Sequence, residues 1–430
     1  MIKSSFRLSG SCFPIKNLYG ETCMQHLLDN MRFLCDETRM LSGLTVVYGT
    51  GRESESALYG RAQEVTLDNG RFLPCERPLQ ENSIFDLASL TKLFTSVTTM
   101  ALVERGMLRL DERIGEIDAR FAHLRDVTVF DTLCYRVCLQ TPGRIDDAPS
   151  REEGLRRLLD VRVAPSPAVR IYSDINAMVI KYVIEAKTGL PFYGALCRYI
   201  LAPAGMRETF AAVPEDEKHR CVCYNYEHRI AGDRYILRTD TPPGTPHDPK
   251  ALLLSEGGRD LCGHAGLFST RQDMARFAQA LLQSELISRA SLREIATDRT
   301  LRRNADGTYR QPLGFLCFTR HPEQRLSEVP AYMGAHALGI SGFTGNHLAL
   351  DPELGCFEVF LGNRCHARVS HITPPEGVSL SHYGLDEKGA GLVPWPDGRR
   401  VLTSAKYVYL KDACLHEPIA QRMRDLGWLA

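Results

Sequence analysis

The chain has 430 residues, 44% of them hydrophobic and 24% charged, and its 52 Lys plus Arg equal its 52 Asp plus Glu. That balance is ordinary for a soluble globular protein. With no net positive charge and no Lys/Arg run, nothing points to nucleic acid or an anionic membrane surface as partner. No apolar stretch approaches a membrane-spanning length, and the first residues lack the apolar core of a signal peptide, so the expectation is a cytoplasmic protein.

In chain order, "MQHLLDNMRFLCDETRM" (residues 24–40) carries apolar residues at helical spacing. "LTVVYGTGRESESALYGRAQEV" reads as two strands around a polar, Gly-containing turn. "FDLASLTKLFTSVTTMALVERGML" (residues 85–108) reads as a helix built for burial, yet it opens on Ser89 and Lys92. Residues 111–290 are mostly helix and loop, broken at "QTPGRIDDAPS" and "RTDTPPGTPHDPK". Strand patterns return in "GFLCFTR", in "NHLALDPELGCFEVFLGN" with its "DPELG" turn, and in "RRVLTSAKYVYL". "HEPIAQRMRDLGWLA" reads as a terminal helix. Strands at both ends of the chain predict one shared antiparallel sheet, an α+β fold flanked by helices, with a helical lobe at 111–290 inserted into it. The expected organisation is an N-terminal extension (1–22), a main domain (23–385), and a C-terminal strand and helix (386–430) that complete the sheet.

The 14 cysteines are scattered, and a chain this long does not need disulfides, so they read as reduced, buried thiols. Cys221 with Cys223, Cys262 with His264, and Cys134 with Cys138 lack the paired spacing of structural zinc sites. No metal and no cofactor is expected.

Residues i and i+3 share a helix face, so Ser89 and Lys92 can touch if the helix starts near Ser89. Unpaired N–H groups at a helix start favour an alkoxide or an oxyanion there. The same field, with burial beside Leu90 and Phe94, disfavours the protonated lysine, and a neutral lysine can take a serine proton. This is the only Ser-x-x-Lys in the chain.

These residues resemble the active-site helix of the penicillin-recognising serine hydrolases, in the branch that holds class C β-lactamases, D,D-peptidases and related esterases. The resemblance continues in the same order through "RIYSDINAMVIKYVIEAKTGLPF", "LAPAGMRETF", "GHAGLFSTRQDMARFAQALL" and "GISGFTGNHLALDPELGCFEVFLGNRCH", over residues 44–366. It implies Ser89 as nucleophile, Lys92 as its activator and Tyr172 as a proton shuttle, with the Lys92 cation lowering the tyrosine's pKa. Asp174 stands where β-lactamases usually carry an amide. The usual Lys-Thr-Gly or His-Thr-Gly of the closing strand is here Ile340-Ser341-Gly342. Ser341 can still donate a hydrogen bond, and the N–H of Phe343 can join that of Ser89 as an oxyanion hole. His264 matches an architectural position at the edge of the substrate site. His247 and Asp248 are possible contacts at the cleft mouth.

The resemblance implies a serine hydrolase that cleaves an ester or amide of a small molecule or peptide through an acyl-enzyme. The loss of a cation at Ile340 makes an esterase or peptide amidase the first reading and a β-lactamase or D,D-carboxypeptidase the second. A non-catalytic ligand-binding module that kept the fold is the rival from another class. The oligomeric state is not indicated.

Overall fold

The computed structural model describes residues 23–164, 172–256, 258, 260–299, 312–320 and 328–430. The extension expected at 1–22 lies outside them. A seven-stranded sheet runs in the spatial order Phe318–Thr319, Leu338–Ser341, His347–Asp351, Cys356–Gly362, Gly43–Thr50, Ser54–Asp68, Arg71–Pro78. Every neighbouring pair in it is antiparallel. Four late strands and three early strands therefore meet across the pair Cys356–Gly362 and Gly43–Thr50, where Leu44 lies opposite Gly362 and Thr50 opposite Cys356. Sequence-distant strands close one sheet, as the distribution of strand patterns at the two ends of the chain predicts.

One face of the sheet carries the main core, which includes Phe94, Phe277, Leu348 and Val359. The helix Thr91–Glu104 runs through it, with residues from Thr91 to Leu102 all buried. A helix buried on every side has to satisfy its polar side chains internally. Thr98 Oγ1 donates to the Phe94 carbonyl (2.7 Å) and Thr99 Oγ1 to the Thr95 carbonyl (2.8 Å), which pairs these hydroxyls inside the core, whereas the buried Ser96 hydroxyl has no partner. The other face is covered by Cys23–Arg32 and Glu417–Asp425, with Leu27, Met31, Leu415, Ile419 and Met423 in a second cluster.

The C-terminal segment departs from expectation. Arg400–Leu402 pairs with Leu392–Pro394 in a separate hairpin and adds no strand to the large sheet. "KYVYL" is not a strand either: Tyr407–Lys411 is a short helix. Its inward residues are Tyr407 and Lys411, four apart, while Val408 and Tyr409 face solvent. That is helical rather than alternating burial.

Candidate active site

The strand Ile84–Asp86 leads into a 3₁₀ turn, Ala88–Leu90, and then the helix Thr91–Glu104. Ser89 sits in the turn and caps nothing, which leaves its hydroxyl for chemistry. The turn is held in a costly shape: Ala88 has φ +47°, a region that L side chains rarely enter. The buried Asp86 supports it. Its carboxylate accepts the Ala88 N–H (2.8 Å) and the His247 N–H (2.6 Å), and its carbonyl accepts from Asn346 Nδ2 (2.7 Å).

Lys92 Nζ lies 2.8 Å from Ser89 Oγ, 2.7 Å from an Asp174 carboxylate oxygen and 3.3 Å from the His264 carbonyl. Tyr172 precedes Ser173, whose hydroxyl accepts the Ile175 N–H (3.2 Å) and caps the helix Asp174–Thr188. Capping explains how "YSD" sets Tyr172 and Asp174 on either side of Lys92. The ammonium lies 5.0 Å from the centre of the Tyr172 ring, which stacks on Phe318 at 5.0 Å.

Electrostatics here differ from the expectation drawn from the sequence. Burial works against a charged Lys92, but the Asp174 carboxylate, followed by Tyr172, holds its pKa above the ordinary lysine value. Lys92 is a resting cation, not a neutral base. Burial also raises Tyr172, and the Lys92 cation and the hydrogen bonds of Ser89 and Lys92 offset this only in part. The tyrosine is therefore raised where lowering was expected, with Asp174 adding to the rise. Burial disfavours ionised Asp174, yet the charges of Lys92, His264 and Lys250 hold its carboxyl below the usual range.

Lys250 is a residue that no motif flagged. It reaches Asp174 (3.1 Å) and Asp248 (3.4 Å). Asp248 caps the helix Pro249–Leu254 and meets His264 Nε2 at 2.9 Å. Asp174, Asp248 and His264 are close enough to share a metal ion. Two ammonium groups already balance the carboxylates, so the donor set suits lysines better than a cation. The His264 ring is fully buried and turned to Asp248, so His264 supports Lys92 through its carbonyl and does not line the cleft. His247 is likewise buried, against Glu227 (2.9 Å). Neither it nor the capping Asp248 is a contact at the cleft mouth. Cys221 and Cys223 are buried thiols, pushed up by burial to about 12 and about 11.

Gly342 closes the site. A Cβ there would meet the Leu87 carbonyl at 2.8 Å and the Ala88 Cβ at 3.4 Å, so only glycine lets the strand Leu338–Ser341 end against the nucleophile turn. A cavity of about 250 Å³ opens at this junction, lined by Ser89, Tyr172, Ser341, Gly342 and Phe343, with further residues from later in the chain. Ile340 is fully buried and takes no part in that lining. At Ser341 stands another cation: Lys411 Nζ is 3.2 Å from its hydroxyl.

An antiparallel sheet against a buried helix, with a serine and a lysine in contact at the helix start and a tyrosine beside them, defines a hydrolase of the penicillin-recognising fold. The chain belongs to the Beta-lactamase family, whose model matches residues 25–376. A Salmonella heidelberg (strain SL476) protein, provisionally described as a D-alanyl-D-alanine carboxypeptidase, is 25% identical over 328 residues, 70% of this chain and 74% of its own length. Among solved structures, a mutant simvastatin synthase from Aspergillus terreus aligns with a TM-score of 0.62 at 14% identity, over 94% of this chain and 98% of that one. A β-lactamase from Sulfitobacter sp. EE-36 aligns at 0.60 and 18%, over 94% and 100%. The hydrolase EstCE1 aligns at 0.60 and 16%, over 79% and 93%. No helix among the described residues is long and apolar enough to cross a membrane.

Proposed function

We propose that the protein is a serine hydrolase that forms an acyl-enzyme on Ser89, with an ester or amide as substrate. The observation that carries this is the 2.8 Å contact of Lys92 Nζ with Ser89 Oγ at the wall of a cavity. Because Lys92 is already protonated, it acts as a fixed positive charge. The serine proton passes to Tyr172 in its phenolate form, while Ser89 Oγ bonds to the carbonyl carbon. The resulting oxyanion lies near the N–H groups of Ser89 and Phe343. Tyr172 then returns the proton to the leaving oxygen or nitrogen as its bond to carbon breaks, and water repeats the sequence on the acyl-enzyme. No cofactor enters these steps. The small-molecule, ester-cleaving side of the family suits the size of the cavity. The argument against carboxylate-bearing substrates fails, because it rested on Ile340, a core residue.

Intact-mass analysis after treatment with a fluorophosphonate tests the reading. One adduct is expected on wild type and none on Ser89→Ala. Equal labelling of the two would remove Ser89 as nucleophile, and no labelling of either would favour a binding module that keeps the fold.

A further inference from the structure

The face of the sheet opposite the helix Thr91–Glu104 carries a second cluster of polar side chains. His347 and Glu358 stand on adjacent strands, with Glu358 opposite Ala349, so both side chains share the face that the C-terminal helices cover. His416 meets them at the end of the π-helical turn Asp412–His416, in which the Glu417 N–H reaches back to the Asp412 carbonyl. The three residues are 0, 0 and 2% exposed. One donor atom from each lies within 4.8 Å of the other two, and none of the three lines the Ser89 cavity. Glu358 Oε1 is hydrogen-bonded with His416 Nδ1, and Tyr332 OH donates to the other carboxylate oxygen (3.1 Å). His347 Nδ1 lies 3.0 Å from Ser341 Oγ, and its Nε2 points inward, 4.0 Å from Glu358 Oε1. That gap is too long for a hydrogen bond and near the spacing of about 3.4 Å between two ligands of one tetrahedral zinc ion. His347 Nε2, His416 Nε2 and Asp412 Oδ2 have no hydrogen-bond partner among the described residues, and Asp412 Oδ1 is 3.6 Å from His416 Nε2.

Buried imidazole nitrogens that converge on a carboxylate with nothing between them call for a group that accepts their lone pairs. We infer that His347 Nε2, Glu358 Oε1 and His416 Nδ1 form a binding site for a divalent first-row transition ion, with zinc the best match. Two imidazoles and one carboxylate are donors that suit zinc, whereas magnesium and calcium require mainly oxygen. The ion takes the place of the proton between His416 and Glu358, which leaves to solvent, and draws in the His347 lone pair. Asp412 is then placed to accept the His416 Nε2–H, while Tyr332 and Ser341 orient the other two ligands, the support that such a site needs. Glu358 and Asp412 match the charge of the ion. Lys411, 3.1 Å from His347 Nδ1, has Glu328 at 3.8 Å as its own counter-charge. A cavity of about 430 Å³, lined in part by Tyr332, Asp412 and His416, gives a way in and room for water at the fourth position. Bound there, the ion staples the C-terminal segment to the sheet. Glu358 and His416 are 58 positions apart, so the site escapes a search for paired spacing in the sequence.

The full chain, stripped with EDTA and desalted, is titrated with zinc chloride by calorimetry and with cobalt chloride by visible absorption. Wild type should bind one equivalent of zinc with a Kd on the order of 1 μM or tighter. It should also gain the visible bands of four- or five-coordinate cobalt, and unfold at a higher temperature with zinc than without. His416→Gln and His347→Gln should each weaken zinc by about a hundredfold or more and lose the thermal shift, since a ligand matters more than the roughly ten- to a hundredfold worth of a supporting partner. Tyr332→Phe, which keeps every ligand, should fall within that lower range. No zinc binding by wild type overturns the site, and so does binding with a thermal shift that His416→Gln leaves unaltered. Should the histidine variants fail to fold, Tyr332→Phe decides, and a zinc affinity equal to that of wild type overturns the site. Ser89 labelling enters none of these outcomes, so the metal site and the hydrolase reading stand or fall separately.

Discussion

One carboxylate sets the protonation of the centre. Asp174, 2.7 Å from Lys92, keeps the lysine charged and pushes Tyr172 further up. With Tyr172 as the base, kcat/KM rises with pH as the free enzyme loses the tyrosine proton, and it falls where Lys92 loses its own. Both groups are raised, so the profile for a neutral ester lies to the alkaline side of the ordinary tyrosine and lysine ranges. Asp174→Asn removes a negative charge from beside both groups, so both pKa values fall and the whole profile moves to lower pH. A profile that stays in place while kcat drops would show that Asp174 acts through structure alone. Tyr172→Phe should lower kcat by about a hundredfold or more, the usual scale for a positioned acid–base group, with KM for a neutral ester little changed. The same kcat in Tyr172→Phe would remove it from the proton path.

The strand and the helix that meet at the cleft do so through a missing side chain. In Gly342→Ala the new methyl would stand 2.8 Å from the Leu87 carbonyl, a backbone atom that cannot swing aside. The strand end and the nucleophile turn must separate, at a cost of about 1–3 kcal/mol, and Ser89 must leave the register of Phe343. A loss of kcat larger than the fall in thermal stability accounts for is expected, measured by ester turnover and calorimetric unfolding on the same sample. At this scale the sequence is informative wherever contacts are local. Ser89 and Lys92 share a turn, "YSD" brings its own cap, and "DPELG" makes the turn between His347–Asp351 and Cys356–Gly362. It is silent where a partner comes from afar. Lys411 reaches Ser341 across 70 positions, and Lys250 meets Asp174 through a fold that no spacing encodes. The charge on Lys92 escapes the sequence for the same reason: burial is legible in the apolar neighbours, but the placement of Asp174 2.7 Å from the ammonium is not. "KYVYL" fits a strand or a short helix equally by pattern, and only its packing under the sheet decides.

At the scale of the whole molecule, segments from early and late in the described chain pack together. The outer face of the sheet is covered by the first described helix and the last, and Asn30 Nδ2 donates to the Cys414 carbonyl (3.1 Å) while Arg422 grips Glu55 through two nitrogens (2.9 and 2.7 Å). Leu27, Met31, Leu415, Ile419 and Met423 are fully buried there against Val46, Tyr48 and Phe360 of the sheet. The segment that carries Lys411 is thereby part of the fold, although the family match stops at residue 376. Ile419→Ala tests this at a position remote from the cleft. Deleting a fully buried isoleucine side chain beyond Cβ costs the transfer of its methyl and methylene groups and leaves a cavity, about 2–5 kcal/mol in all. The expected result is a urea midpoint lowered by that energy divided by the m-value, with m itself unchanged. A loss under about 0.5 kcal/mol, the range of surface substitutions, would show that the C-terminal helix is an appendage resting on an already complete domain.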